Sequence, residues 1–225
     1  MSSIVLSIDT STKTVGLALY DGVQVLSESV WTSQNHHTVE LAPAVSDLLR
    51  KSGLGVSSLG ALTVALGPGS FTGLRIGMGL AKGICLAGHL PLVGIPTLDA
   101  LAASQPIHKA PLVAVLQAGR GRLAVGWYQA QENHWVATQE IEVLTPKELL
   151  QRVRTTTYIC GELSQGDRRT LSRKHKKVKL ASPAQSLRRP GFLAELGWKR
   201  WRAGDVDDPA TLSPIYIHKK EPIPG

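Results

Sequence analysis

Short apolar segments alternate with polar turns along the chain, and their spacing predicts the secondary structure. Unbroken apolar runs are typical of buried strands, and apolar residues that recur every three or four positions indicate helices. Strands are predicted on this basis at residues 4–8, 15–20, 23–31, 61–66, 90–95, 112–116, 123–128, 135–144 and 156–160. Helices are predicted at residues 41–52, 74–87, 98–103 with Thr97 as N-cap, 190–204, and after Thr145, which forms a capping box with Glu148. Strands interleaved with helices predict an α/β fold.

The pattern at the start of the chain returns in its second half. The apolar run at 112–116 lies 108 positions after the run at 4–8, and each is followed by a polar turn and a second strand. These second strands end on Tyr20 and Tyr128. A unit that recurs once in each half predicts two similarly built lobes. The polar stretch around Pro106 is the predicted boundary, which divides the chain into a lobe at 1–108 and a smaller, basic lobe at 109–225.

A glycine-rich loop joins the strand at 61–66 to the helix at 74–87. It reads Gly-Pro-Gly-Ser-Phe-Thr-Gly-Leu-Arg-Ile-Gly from residue 67 to residue 77. Free N–H groups at a helix start bind anions, so the layout indicates an anion or nucleotide loop. It lacks the lysine of a P-loop, and Thr72 stands where a dinucleotide fingerprint needs its third glycine. The alternative is a tight turn in which Ser70 or Thr72 caps the helix.

The helix after this loop contains more glycine than helix propensity favours. Gly73, Gly77, Gly79 and Gly83 lie inside it, and each costs about 1 kcal/mol relative to alanine. Gly73, Gly77 and Ala81 share one helix face, where small side chains allow another backbone to approach closely. That neighbour is either the chain's own sheet or a second protein.

Composition predicts a cytoplasmic protein with an uneven charge. The chain has 225 residues, 43% of them hydrophobic, with no apolar run of the roughly 20 residues that span a bilayer. Two cysteines in no metal or redox motif predict reduced thiols, and no metal site is predicted. The net charge of +8 lies wholly in residues 111–225, where residues 165–202 carry twelve Lys or Arg. This region is either a nucleic-acid surface or a solvated basic face.

The loop at 67–77 closely resembles the signature of the TsaB (YeaZ) family of bacterial proteins. Four other segments resemble the family: Ile-Asp-Thr-Ser-Thr at 8–12, the polar segment with two histidines before Leu41, Gly-Ile-Pro-Thr-Leu at 94–98 and Pro-Ile-Tyr-Ile at 214–217. The second hairpin turn departs from the family, because Gln117-Ala118-Gly119 stands where members usually have Asp-Ala-Arg. The repeated hairpins also resemble the two-lobed fold of actin, heat-shock chaperones and sugar kinases (the ASKHA fold), here with a reduced second lobe.

The resemblance implies a non-catalytic subunit that acts through its partners. Family members pair with the catalytic subunit TsaD and are joined by the ATPase TsaE. Together these proteins transfer a threonylcarbamoyl group to N6 of adenosine 37 in tRNA. No cofactor is predicted, and the sequence leaves open whether the chain forms a homodimer when its partner is absent.

Three groups of site residues are predicted, and none is catalytic or binds a metal. The partner interface is placed on the two helices of the first half, at His37, Leu41, Val45, Leu48, Gly73, Leu74, Gly77, Met78 and Ala81. A vestigial nucleotide loop is placed at Asp9, Thr10, Ser11, Gly67, Gly69 and Ser70. Contact with RNA is placed at Lys174, Lys176 and Lys177.

The alternatives are a small-molecule kinase or ATPase of the same fold, a peptidase and a free-standing RNA-binding protein. In active relatives of the fold, a carboxylate in the second hairpin turn often serves catalysis. Gln117 stands at that place here, and a neutral amide cannot act as a general base. The peptidase interpretation lacks a His-x-x-x-His pair, and the RNA-binding interpretation depends only on the basic half.

Overall fold

The computed structural model describes residues 4–34, 37–172 and 176–217, which form two mixed β-sheets with helices packed on them. The first sheet has the order β3-β2-β1-β4-β5, in which β1 is antiparallel to β2 and parallel to β4. Its strands are β1 (Ile4–Asp9), β2 (Thr14–Tyr20), β3 (Val25–Thr32), β4 (Leu59–Ala65) and β5 (Leu92–Ile95).

The second sheet repeats this connectivity in the order β8-β7-β6-β10-β11, with β9 beside β7. Its strands are β6 (Leu112–Gln117), β7 (Leu123–Gln131), β8 (His134–Ala137), β9 (Glu142–Leu144), β10 (Thr157–Gly161) and β11 (Val178–Leu180). In both sheets a central strand joins an antiparallel hairpin to a parallel strand. The two similarly built lobes predicted from the repeat are therefore confirmed.

One predicted strand is two strands. The segment at 135–144 divides into β8 and β9, which pair with opposite ends of β7. β8 pairs from Tyr128 onward and β9 pairs near Leu123, so the chain must leave the edge of β7 between them. The polar residues at 138–140 lie at this break and are the sequence signal for it.

The helices in the described residues are α1 (His37–Lys51), α2 (Phe71–Gly88), α3 (Thr97–Ala103), α4 (Pro146–Arg152), α5 (Gln165–Ser172) and α6 (Pro190–Arg202). Five of them lie close to their predicted positions, whereas α5 was not predicted. The capping box of α4 is confirmed, because the Thr145 hydroxyl accepts from the Glu148 N–H while Glu148 accepts from the Thr145 N–H. Thr97 is not the N-cap of α3, which is Pro96, because the Thr97 side chain bonds to the glycine loop instead.

The first sheet lies between helices from both halves of the chain. Leu6 and Ile8 of β1 pack with α1 and α2, whereas the alternate residue Val5 packs with α6 on the opposite face. The boundary at residue 108 thus separates the two sheets, but α6 returns to the first one. On α6, Trp198 and Trp201 lie edge to face, 5.3 Å apart, and pack against Val5. This favours packing over RNA contact for the tryptophan pair.

Among the described residues, no helix combines the length and the apolar character needed to cross a membrane.

Candidate functional site

A cavity of about 940 Å³ lies between the two lobes, where the turns of hairpins β1–β2 and β6–β7 meet. Of the predicted nucleotide-loop residues, Ser11, Gly69 and Ser70 line it. The second lobe contributes Gln117 and Gly119 from its hairpin turn, and Glu162 from the end of β10. The structure therefore brings the two repeated turns to a single cleft, which we call the interlobe cleft.

A buried arginine joins the two lobes beside this cleft. Arg188 is 4% exposed, and its Nε donates to Asp9 Oδ2 of the first lobe at 2.8 Å. One terminal nitrogen donates to Glu162 Oε1 of the second lobe. The other donates to the Thr12 hydroxyl at 2.9 Å and to the Thr14 carbonyl at 3.0 Å. Two carboxylates from different lobes thus share one buried cation.

The guanidinium of Arg188 keeps its charge in this environment. Burial acts to lower the pKa of Arg188, but the charges of Asp9 and Glu162 and the hydrogen bonds to them outweigh it, so the pKa is raised. A buried charge without partners would be very costly, whereas here four hydrogen bonds join the guanidinium to acceptors in both lobes. The arrangement is an ion-paired bridge at the base of the interlobe cleft.

The glycine loop packs directly on the first hairpin turn. The Ser70 N–H donates to the Ser11 carbonyl at 2.6 Å, and the Thr10 hydroxyl donates to the Gly73 carbonyl at 2.8 Å. A Cβ atom on Gly69 would lie 2.2 Å from the Ser11 carbonyl oxygen, so only glycine allows this approach. The two turns touch backbone to backbone.

Three N–H groups of these turns already have side-chain acceptors. The Ser11 N–H donates to Asp9 Oδ1, and the Gly73 N–H donates to Ser70 Oγ, which makes Ser70 the N-cap of α2. The Gly67 N–H donates to Thr97 Oγ1 at 3.0 Å. These contacts match the tight-turn interpretation of the loop and give a phosphate group no free donors at these three positions.

The Gln117 side chain is hydrogen-bonded to a neighbouring carboxylate, that of Asp167. Its Nε2 donates to Asp167 Oδ2 at 2.8 Å and to the Glu162 carbonyl at 3.1 Å. Burial acts to raise the pKa of Asp167, but hydrogen bonds from Ser164 and Gln117 outweigh it and lower that pKa. Asp167 also accepts the Ser164 N–H at the start of α5, so it serves as a capping residue.

The residues predicted for the partner interface do not lie on an open face of the described structure. The nine residues are buried in the chain's own interior: His37, Leu41, Val45, Leu48, Gly73, Leu74, Gly77, Met78 and Ala81. A Cβ atom on Gly77 would lie 2.1 Å from the Thr10 hydroxyl oxygen, and one on Gly73 would lie 2.3 Å from the Thr10 carbonyl oxygen. The glycine stripe therefore seats α2 on the β1–β2 turn, and a partner cannot reach it.

The opposite faces of the two helices are exposed. On α2, Gly79 and Gly83 lie at the surface, and a Cβ atom on either would meet no described atom within 4 Å. Leu86 on the same face is 66% exposed, and Val39 on α1 is 68% exposed. Apolar and small residues thus remain uncovered on both helices.

Of the predicted RNA-contacting lysines, Lys176 and Lys177 do not line the interlobe cleft. Lys174 falls outside the described residues, and Lys176 and Lys177 are exposed. The Lys177 ammonium donates to the Arg154 carbonyl at 2.8 Å. The basic region as a whole is not one solvated face, because it includes the buried Arg188 and because Arg189 pairs with Glu28.

Sequence reasoning missed the residues that hold the cleft together. Arg188 had been counted with the basic region, and nothing in its local pattern distinguishes it from its neighbour Arg189. Glu162 follows directly on the glycine that ends β10, and a carboxylate at the carboxyl end of a parallel strand is a signal that could have found it.

Comparisons with known proteins agree with this architecture. The sequence model of a family described as TsaD, tRNA N6-adenosine threonylcarbamoyltransferase, matches residues 24–166. The tRNA threonylcarbamoyladenosine biosynthesis protein TsaB of Bacillus subtilis is 30% identical over 221 residues, which cover 96% of this chain and 95% of that protein. The TsaB protein of Escherichia coli is 33% identical over 153 residues, or 67% of this chain and 66% of that protein.

Solved structures give the same picture. YeaZ from Pseudomonas aeruginosa superposes with a TM-score of 0.79 at 25% identity, over 96% of this chain and all of that one. The activator of the 2-hydroxyisocaproyl-CoA dehydratase from Clostridium difficile, solved with bound ADPNP, has a TM-score of 0.51 at 11% identity over 91% of this chain and 97% of its own. This second likeness concerns the fold alone.

Proposed function

This chain belongs to the TsaB (YeaZ) family and takes part in the biosynthesis of threonylcarbamoyladenosine in tRNA, and we propose that it does so as a non-catalytic subunit. Its fold is the two-lobed fold of actin-like proteins. On this proposal it supports a TsaD-like catalytic subunit, with a TsaE-like ATPase, in the transfer of threonylcarbamoyl to N6 of adenosine 37. The place of action is the cytoplasm, and without its partner the chain forms a homodimer.

The buried bridge of Asp9, Arg188 and Glu162 is the observation that supports a non-catalytic role. Phosphoryl transfer in this kind of cleft needs carboxylates that are free to bind metal ions and hydroxyl or water protons. Here both carboxylates are bound to a guanidinium, and the Ser11, Gly67 and Gly73 N–H groups bond within the chain. These contacts favour a scaffold over a kinase or ATPase.

The exposed faces of α1 and α2 are the proposed docking surface. Gly79, Gly83 and Leu86 on α2 and Val39 on α1 form it, on the side opposite the buried glycine stripe. Bare glycines allow a partner helix to approach closely, and the exposed leucine and valine supply apolar area. The family pairs through helices that follow these same segments, which agrees with the choice of helices.

Substitutions on this surface are expected to weaken partner binding without unfolding the chain. Gly83→Leu places a side chain where a partner backbone would lie, and Leu86→Asp places a charge in the contact. We expect each to leave the melting temperature within a few degrees of the wild type. Affinity for the TsaD-like subunit should fall about ten- to a hundredfold, as for an overpacked interface. Calorimetry with the purified subunits measures both.

Lys13→Met is the matched control, because Lys13 lines the interlobe cleft and lies away from the docking surface. Under the proposal it retains partner binding and tRNA modification in the reconstituted reaction. Normal partner affinity of both docking variants would refute the surface. Steady ATP turnover by the pure chain, lost in a folded Lys13→Met, would refute the non-catalytic role.

The exposed lysines near the end of α5 are proposed to help hold tRNA in the assembled complex. Each phosphate contact should steepen the salt dependence of affinity by about 0.7–0.9 log units per tenfold change in salt. Changing Lys174, Lys176 and Lys177 together to Glu should therefore make the dependence of tRNA affinity on salt concentration less steep, as measured by filter binding. The control is Arg50→Glu, because Arg50 is also an exposed cation but lies on α1, where it pairs with Asp47. An unchanged slope in the lysine variant would mean that these residues are only solvated.

A further inference from the structure

A second cavity, of about 430 Å³, lies between the lobes in a different place. It is bounded by α3, by α6 and by the β7–β8 hairpin, and it shares no lining residue with the interlobe cleft. Its volume is within the range of small-molecule pockets. None of the predicted site residues lines it.

A carboxylate that has one side-chain partner among the described residues lies in this cavity. Asp99 of α3 accepts a hydrogen bond from the Tyr128 hydroxyl, with 2.7 Å between Oη and Oδ1. Burial raises the pKa of Asp99, and the hydrogen bond from Tyr128 opposes that shift only in part. Burial and the charge of Asp99 also raise the pKa of Tyr128, so the phenol remains a donor. A cation near Asp99 would remove the cost of burying this charge.

The other charges around the cavity leave negative charge in excess. Glu195 of α6 supplies a second carboxylate to the lining. Arg200 is already neutralised, because it donates to both carboxylate oxygens of Asp205 and lies 3.4 Å from Asp207. Lys199 is exposed, and within the described residues neither Lys199 nor Glu195 forms a salt bridge. The lining therefore has two carboxylates against one uncompensated cation.

The walls of the cavity are aromatic and apolar. Trp135 of β8 lies on one side, and its indole N–H donates to the Gln105 carbonyl at 3.1 Å, which fixes the ring. Phe192 and Leu196 of α6 also line the cavity, as does Ile107, which is 40% exposed. Aromatic faces attract cations and also pack against apolar groups.

We propose that this cavity binds a ligand with an ammonium or guanidinium group on an apolar stem, with the cation at Asp99 and the stem between Trp135 and Phe192. Both a free small amine and the lysine or arginine side chain of a partner have this chemistry. Because the lining comes from both lobes, the bound ligand would join α3 and α6 to the β7–β8 hairpin. This inference is independent of the proposed subunit function.

Benzylamine is the probe, titrated into the ¹⁵N-labelled full-length chain at pH 7. The readout is the indole N–H resonance of Trp135, assigned with Trp135→Phe. We expect a saturable shift with a dissociation constant on the order of 1 mM, which is typical of so small a ligand. Benzyl alcohol has the same shape without the charge and should bind at least tenfold more weakly. Equal binding of the alcohol, or no shift with benzylamine at tenfold higher concentration, would overturn the proposal.

Two variants locate the cation. Asp99→Asn retains the acceptor for Tyr128 and should weaken benzylamine at least tenfold, whereas Asp47→Asn, an exposed aspartate on α1, should change nothing. Undiminished affinity in a folded Asp99→Asn would also overturn the proposal. Acetyl-lysine methylamide and acetyl-arginine methylamide identify the source of the cation. If either binds more tightly than benzylamine, the natural ligand is a side chain, and the reverse order indicates a free amine.

The pH dependence tests the site in the wild-type chain, so it needs no variant to fold. Since the pKa of Asp99 is raised, its carboxylate becomes protonated at a higher pH than an ordinary aspartate, whose pKa is about 3.9. As the pH is lowered, benzylamine binding should therefore weaken before that ordinary range is reached. The other titratable groups on the lining are Tyr128 from β7, His134 from β8, and Glu195, Lys199 and Arg200 from α6. Repeating the titration in His134→Gln removes the histidine contribution. Affinity that stays constant down to pH 4 would contradict the assignment to Asp99.

Discussion

Replacing Arg188 by methionine is expected to lower the free energy of unfolding by about 3–5 kcal/mol, the usual result of removing one partner of a buried ion pair. The methionine fills much of the space but leaves Asp9 and Glu162 without their shared cation. Urea denaturation of the wild type and the variant, with the slopes compared, measures the change. Because Arg188 joins the two lobes, amide exchange near Thr12 should also become faster in the variant.

A charge-neutral variant separates the arginine's charge from its packing. The triple substitution Asp9→Asn, Glu162→Gln and Arg188→Met removes all three charges and should recover most of the lost stability, because no buried charge is left unpaired. Arg50→Met is the matched surface control, since its partner Asp47 is exposed and such pairs contribute about 0–1 kcal/mol. A loss of less than 1 kcal/mol in Arg188→Met would show that the bridge does not hold the lobes.

Alanine at Gly77 and alanine at Gly83 are expected to change the stability of the chain in opposite directions. At Gly77 the added Cβ would lie 2.1 Å from the Thr10 hydroxyl oxygen, which is itself bonded to the Gly73 carbonyl. Overpacking of this kind typically costs 1–3 kcal/mol. At Gly83 the added Cβ meets no described atom within 4 Å, so the better helix propensity of alanine should stabilise by up to about 1 kcal/mol.

Thermal unfolding of the two variants tests whether the face of α2 with Gly73 and Gly77 packs inside the chain or docks a partner. For a chain of this size, 1 kcal/mol shifts the melting temperature by about 2–4 °C. We expect Gly77→Ala to melt below the wild type and Gly83→Ala to melt at or above it. If Gly77→Ala melted normally but bound the TsaD-like subunit poorly, the stripe would belong to the interface after all.

The correction of the docking face has a general physical reason. Helical spacing of small and apolar residues identifies the face that packs against something, but it does not identify the neighbour. In α2 the face with Gly73 and Gly77 is covered by Thr10 of the same chain, while Gly79 and Gly83 remain open. The proposed docking surface therefore keeps the two predicted helices and uses their opposite sides.

Local pattern was enough to predict most of the elements and the plan of the fold. The apolar runs located the strands of both sheets except β11, although β8 and β9 were predicted as one strand. The recurrence of strand, turn and strand predicted two lobes, and Thr145 with Glu148 marked the start of α4. Each of these signals depends on residues that are close in sequence, where backbone geometry limits the possible structures. The glycine-loop signature likewise indicated the family that the comparisons confirm.

Tertiary structure alone decided which side chains meet. Arg188 lies 179 positions from Asp9, and only the return of α6 to the first sheet brings a residue from a basic stretch into the base of the interlobe cleft. Asp99 and Tyr128 meet because α3 packs in the core of the second sheet. The energy of a buried charge depends on partners and burial, and both are set by long-range packing that no local pattern contains.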